Sequence, residues 1–110
     1  MHRRWTSFNT ATTVKEALAI PTRDRQRLFE AMAAYRNDLG AGYRIENYGS
    51  GLWMITDSGR GQGRCVFFKR LEIADGVEIL VALLFYKKES RKAPARILNT
   101  ARRRMIDTGE

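Results

Sequence analysis

Cysteine, histidine and proline are almost missing from this 110-residue chain, which has one Cys, one His and two Pro. A lone cysteine excludes a disulfide framework and a zinc site built from thiolates, and the apolar surroundings Cys65-Val66-Phe67-Phe68 mark Cys65 as a small buried side chain. The only histidine, His2, lies at a chain end, so no histidine-based triad or metal cluster can be assembled. Acidic residues are sparse as well: 12 Asp and Glu stand against 20 Lys and Arg, a net charge of +8. That excess favours polyanionic or acidic partners over neutral substrates, with nucleic acid first. Long apolar runs are lacking too. The longest falls short of the about 20 residues that a membrane-spanning helix needs, and no apolar segment follows Met1-His2-Arg3-Arg4 as a secretory leader would require. The expectation is one cytoplasmic domain over residues 1–110, with no membrane partner, able to bury a core without metal or crosslinks.

What is present centres on the run Val77-Glu78-Ile79-Leu80-Val81-Ala82-Leu83-Leu84-Phe85-Tyr86-Lys87-Lys88. Its β-branched and aromatic content predicts the central strand of a sheet. Strict alternation puts Val77, Ile79, Val81, Leu83 and Phe85 on one side, to be covered by helices. Glu78, Leu80, Ala82, Leu84, Tyr86 and Lys88 fall on the other, which begins with a charge and ends with a phenol and an ammonium, as a face open to a ligand would.

Along the chain, Trp5 and Ser7 fit a brief opening strand. Thr13-Val14-Lys15-Glu16 fits a capping box that starts a short helix through Ala19, and Pro21 ends it. From Thr22 the positions Leu28, Met32 and Tyr35 keep helical spacing until Gly40 and Gly42. Leu52-Trp53-Met54-Ile55 and residues 64–70 then read as strands joined by the polar stretch 57–63, and Asp75-Gly76 turns into the central strand. Pro94 opens a last helix whose stripe is Ile97, Leu98, Ala101 and Met105. The expected fold is α+β: an N-terminal helical hairpin packed on a small, mostly antiparallel sheet, with a C-terminal helix.

Two features compete for function. Gly59-Arg60-Gly61-Gln62-Gly63 has the glycine content of a phosphate loop, but such loops start helices, and here a strand follows. A hairpin turn is the better account, with Arg60 at its tip. The second feature is a basic and aromatic patch. Residues 87–104 hold eight basic side chains against Glu89 alone. Tyr86, Lys87 and Lys88 end the central strand, Arg64, Lys69 and Arg70 lie on its neighbour, and Arg91 and Lys92 follow in the next loop. Two accounts weigh equally here: a tyrosine finishing the core beside solvated lysines, or cations that cradle phosphates with a ring that stacks on a base.

Three segments resemble the RelE/ParE superfamily of bacterial toxins, in its HigB-like, phage-derived branch: Ile20-Pro21-Thr22-Arg23-Asp24-Arg25, Gly51-Leu52-Trp53-Met54-Ile55, and Phe85-Tyr86-Lys87-Lys88 leading through Lys92-Ala93-Pro94 into a basic helix. Gly63-Arg64-Cys65-Val66-Phe67-Phe68 is similar to the family strand with a phosphate-contacting arginine. Thr56 stands where many relatives have arginine, and the stretch from Tyr86 to Pro94 is one residue longer than usual. The resemblance implies a type II toxin, a ribosome-dependent mRNA endonuclease that needs no metal or cofactor and is neutralised by an antitoxin encoded nearby. Under it Arg64 meets the developing phosphate charge, Tyr86 orients the nucleotide or moves a proton, and Lys87 or Lys88 contacts phosphate or acts as base. Arg60, Lys69, Arg70, Arg91, Lys92, Arg102, Arg103 and Arg104 would bind RNA. A ParE-like gyrase inhibitor and a non-catalytic phage-derived nucleic-acid-binding protein remain the alternatives.

Overall fold

The computed structural model describes residues 2–72, 75–89 and 94–108. In chain order the elements are β1 (His2–Ser7), α1 (Thr10–Leu18), α2 (Thr22–Arg36), β2 (Tyr43–Gly49), β3 (Leu52–Asp57), β4 (Gly63–Glu72), β5 (Val77–Lys87) and α3 (Ala95–Asp107). The five strands form one sheet in the order β1-β5-β4-β3-β2, antiparallel throughout except for the parallel pair β1 and β5.

The expected helical hairpin at the N-terminus, on a mostly antiparallel sheet, is therefore corrected. The chain opens on a strand of a mixed five-stranded sheet, and its three helices lie in the middle and at the C-terminus. The first residues extend because they have partners waiting along β5 and α2. Trp5 stacks edge-on against Phe67 at 5.0 Å and donates its indole N–H to the Met32 carbonyl at 2.9 Å. Arg3 pairs with Glu78 at 3.1 Å and with Asp38 at 3.0 Å. A parallel partner requires a crossover connection, and α1 to β4 supply it.

Two further expectations change. The first helix begins at Thr10, capped by Asn9, whose side chain accepts the Thr12 N–H at 3.2 Å; Thr13 is inside the helix and bonds back to the Asn9 carbonyl. Glu16 is thus freed from capping. The second change concerns β5. Its register against β4 runs Phe67 to Ala82 and then Val66 to Leu84, so Leu83 is an extra residue, a β-bulge. A bulge shifts the alternation by one. Leu84 and Tyr86 consequently join Val77, Ile79, Val81 and Leu83 in the cluster under Ile97 and Ala101 of α3, while Leu80, Ala82 and Phe85 pack with Leu28, Met32 and Tyr35 of α2. Strict alternation placed Phe85 and Tyr86 on the wrong sides, and both faces of the sheet carry a helix. No helix among the described residues is long and apolar enough to cross a membrane.

Candidate functional site

The bulge puts Tyr86 directly across from Arg64 in the β4–β5 register. On the same row, Arg64 donates to the Thr56 hydroxyl of β3 at 2.6 Å, and Thr56 in turn pairs with Arg44 of β2. One row further on, Glu46 stands opposite Met54, and Tyr48 follows two residues along the same strand. Four strands thus bring Arg44, Glu46, Tyr48, Thr56, Arg64 and Tyr86 together on the α3 side of the sheet. The cluster lies at the end of the sheet where the chain turns through the β3–β4 loop.

Arg64 is the centre of this cluster. It was expected on an open face, yet it is only 5% exposed. Its Nη1 donates to Thr56 Oγ1 and to the carbonyls of Gly61 at 2.8 Å and Gly63 at 2.9 Å, so it also ties down the β3–β4 loop. All three acceptors are neutral. Among the described residues no carboxylate forms an ion pair with Arg64, and no acceptor bonds its Nε or Nη2. Burial pushes the guanidinium below its ordinary value, against a counter-pull from the Tyr86 phenol. A buried cation with neutral ligands and spare donors is arranged to take an anion.

The two phenols are kept protonated by the same burial. Desolvation raises Tyr86 above its ordinary value, opposed by Arg64. Desolvation and a hydrogen bond to Glu46 push Tyr48 up to about 12. Near neutral pH both rings can donate a proton or a hydrogen bond but cannot serve as bases.

The chain matches no protein-family model and no curated protein.

The remaining predicted residues are dispersed. Lys87 pairs in register with Gly63, and alternation turns it away from Tyr86. Lys88 lies just past the end of β5, with its N–H on the Gln62 carbonyl at 2.7 Å. Lys69 is on the α2 face, with Nζ 3.9 Å above the Trp53 ring. Arg70 lies six residues along β4 from Arg64, on the order of 20 Å away, beside Glu72 at 3.7 Å. Arg60 is exposed at the β3–β4 loop. Arg91 and Lys92 lie outside the described residues. On α3, Arg103 is exposed and Arg102 reaches Asn99 at 3.4 Å, whereas Arg104 turns inward to Glu16 at 2.9 Å and to the Leu83 carbonyl at 2.8 Å.

The glycine-rich loop offers no phosphate cradle, because carboxylates already take its amides. Asp57 accepts from Gly61 at 3.3 Å and Asp24 from Gln62 at 3.1 Å. A Cβ on Gly61 would sit 2.5 Å from an Asp57 oxygen, which explains the glycine. A cleft of about 240 Å³ opens beside β5, lined among others by Ile20, Phe85, Tyr86, Lys87, Arg96 and Ile97. It meets the Arg64 cluster only at Tyr86. Sequence reasoning left out Arg44, Glu46 and Tyr48; the period-2 pattern of Tyr43 to Tyr48 was the available signal, but its charged residues hid it.

Proposed function

We propose that the protein is the toxin of a type II toxin-antitoxin pair, a cytoplasmic endoribonuclease that cuts mRNA on the ribosome. One observation carries the reading: a buried arginine with neutral ligands and unused donors sits opposite a protonated tyrosine, on a chain of net charge +8. Such a pair suits a phosphodiester flanked by an unpaired base. The similarity of the Phe85-Tyr86-Lys87-Lys88 and Gly63-Arg64 segments to RelE/ParE toxins adds the reaction class.

In that reaction the RNA supplies its own nucleophile. The 2′-oxygen forms a bond to the adjacent phosphorus, the bond from phosphorus to the 5′-oxygen breaks, and the products are a 2′,3′-cyclic phosphate and a 5′-hydroxyl. One proton leaves the 2′-hydroxyl and one reaches the departing oxygen. Arg64 holds the charge that builds on the non-bridging oxygens. Tyr86, kept neutral by burial, orients the nucleotide and is the side chain suited to protonate the leaving oxygen. Lys88, two residues along the chain from Tyr86, contacts phosphate. Glu46, bonded to Tyr48 beside both phenols, adds a carboxylate as a candidate proton acceptor. Alignment by the ribosome supplies the remainder, so free RNA is cut poorly.

The test is induced expression in bacterial cells with and without a co-expressed neighbouring antitoxin. Cut messages and arrested translation are expected, relieved by Arg64→Lys or Tyr86→Phe at equal levels of folded protein. Undiminished toxicity of both variants would remove the site. DNA damage with intact messages would instead indicate gyrase inhibition, and harmless overproduction a binding protein without catalysis.

A further inference from the structure

Strand β5 has two neighbours for only part of its length. β1 ends at Ser7, opposite Ala82, and Phe8 makes the last backbone bond to the Ala82 carbonyl at 3.2 Å. Beyond that point, among the described residues, no strand lies beside the edge of β5 that faces away from β4, and the bulge at Leu83 falls in this stretch. Backbone groups on a buried edge need partners. Two side chains provide them. The Glu16 carboxylate of α1 accepts the Phe85 N–H at 3.3 Å, and the Arg104 guanidinium of α3 donates to the Leu83 carbonyl at 2.8 Å. The two side chains join each other at 2.9 and 3.0 Å, both largely buried, and Arg104 also stacks over Phe8 at 4.9 Å.

We infer that Glu16 and Arg104 form a positioning pair that stands in for the missing strand, holds the bulge at Leu83, and thereby sets Tyr86 beside Arg64. Without the bulge, alternation carries Tyr86 to the α2 side of the sheet, away from Arg64. The Leu83 C=O and Phe85 N–H face away from β4 where β1 has ended, and because opposite charges bind them, the backbone is held on both sides of the extra residue. Arg104 is thus committed to the interior and is removed from the RNA-binding arginines of α3. The inference uses the proposed function only for what Tyr86 would meet; the geometry stands apart from it.

The test reads Tyr86 directly in the free protein. Tyrosine ring carbons are labelled, the four phenols are titrated by NMR, and Tyr86 is assigned from Tyr86→Phe. Amide hydrogen exchange at Phe85 is followed in the same samples. In Glu16→Ala the Tyr86 titration is expected to move down toward the ordinary value of about 10, with exchange at Phe85 at least roughly ten-fold faster, on the order of RT ln 10 of lost protection. Glu16→Gln retains an acceptor for Phe85 but loses the charge, and should show the same changes to a smaller extent. A folded Glu16→Ala protein with parental Tyr86 titration and parental Phe85 exchange overturns the inference. Failure of both variants to fold overturns it as well, since the pair would then be a foundation of the fold and not a positioning device. Binding of a short single-stranded RNA separates this idea from the proposed function. A displaced Tyr86 with unchanged RNA affinity upholds the positioning role and counts against the nucleotide-binding reading.

Discussion

The two faces of the sheet are closed in different ways. Under α2 the face is aromatic: Phe67 meets Trp5 at 5.0 Å and Tyr35 at 6.1 Å, Tyr35 meets Tyr43 at 5.1 Å, and Phe29 on α2 meets Phe85 at 6.0 Å. Its cations sit at the rim on ring faces, Arg3 over Tyr35 and Lys69 over Trp53. Under α3 the core is mainly aliphatic, built on Leu52, Met54, Val66, Ile79 and Leu83 with Phe68 among them, and it gives way at one end to Thr56, Arg64 and Tyr86. One face spends its aromatic rings on packing. The other keeps a buried cation and two phenols whose polar groups are only partly answered by the protein, which is why the proposed binding site is put there.

Breaking the aliphatic core should have the largest effect. Leu83 is fully buried under α3. Leu83→Asp would bury a carboxylate in an apolar cluster where the nearby Arg104 is already committed to Glu16 and to the Leu83 carbonyl, at several kcal/mol, and soluble protein should be lost. A folded Leu83→Asp variant with a native melting curve would mean that this face is not closed as described.

Phe67→Ala should follow, at about 3–5 kcal/mol, measured as a shift in urea midpoint. Because Phe67 lies on the face opposite Arg64, RNA binding by the fraction that stays folded should not change. A loss of binding at full folding would show that the two faces are coupled.

Arg64→Ala mixes the two kinds of effect. It removes the proposed phosphate contact and also leaves the Gly61 and Gly63 carbonyls and the Thr56 hydroxyl short of a donor, costing about 1–3 kcal/mol. Lower stability together with lost binding is expected. Stability that matches the parent would contradict the buried placement of the guanidinium.

The helical period of Leu28, Met32 and Tyr35, the apolar runs of β3 to β5, the Asp75-Gly76 turn and the stripe of α3 were all legible in the residues, because local patterning and burial agree there. Three things were not. The parallel pairing of β1 with β5 depends on contacts such as Trp5 with Phe67, which are distant in the chain. The N-cap at Asn9 competed with a Thr-x-x-Glu match that tertiary structure overrode, since Glu16 answers β5 instead. The bulge at Leu83 leaves no mark in an unbroken apolar run, and it alone decides which way Tyr86 points. Arg64 and Tyr86 were therefore named from the sequence as site candidates, while their burial and their companions on β2 emerged only from the fold.

The smallest effect expected is a dependence of stability on alkaline pH that belongs to the site face. Tyr48 is pushed up to about 12 by burial and by its hydrogen bond to Glu46, whereas an unfolded tyrosine titrates near about 10. For an acid whose pKa is raised on folding, the unfolded chain releases its proton first. Stability from this source is complete below about pH 10 and declines as pH rises toward about 12. Tyr86, also raised by burial, acts in the same direction, while Arg64, lowered by burial, acts in the opposite one as it begins to lose its own proton. Urea midpoints measured from pH 9 upward should fall for the parent and fall less steeply for Tyr48→Phe. Tyr48→Phe combined with Tyr86→Phe should flatten the curve further. A parental slope in the Tyr48→Phe protein would remove Tyr48 from the cluster around Arg64.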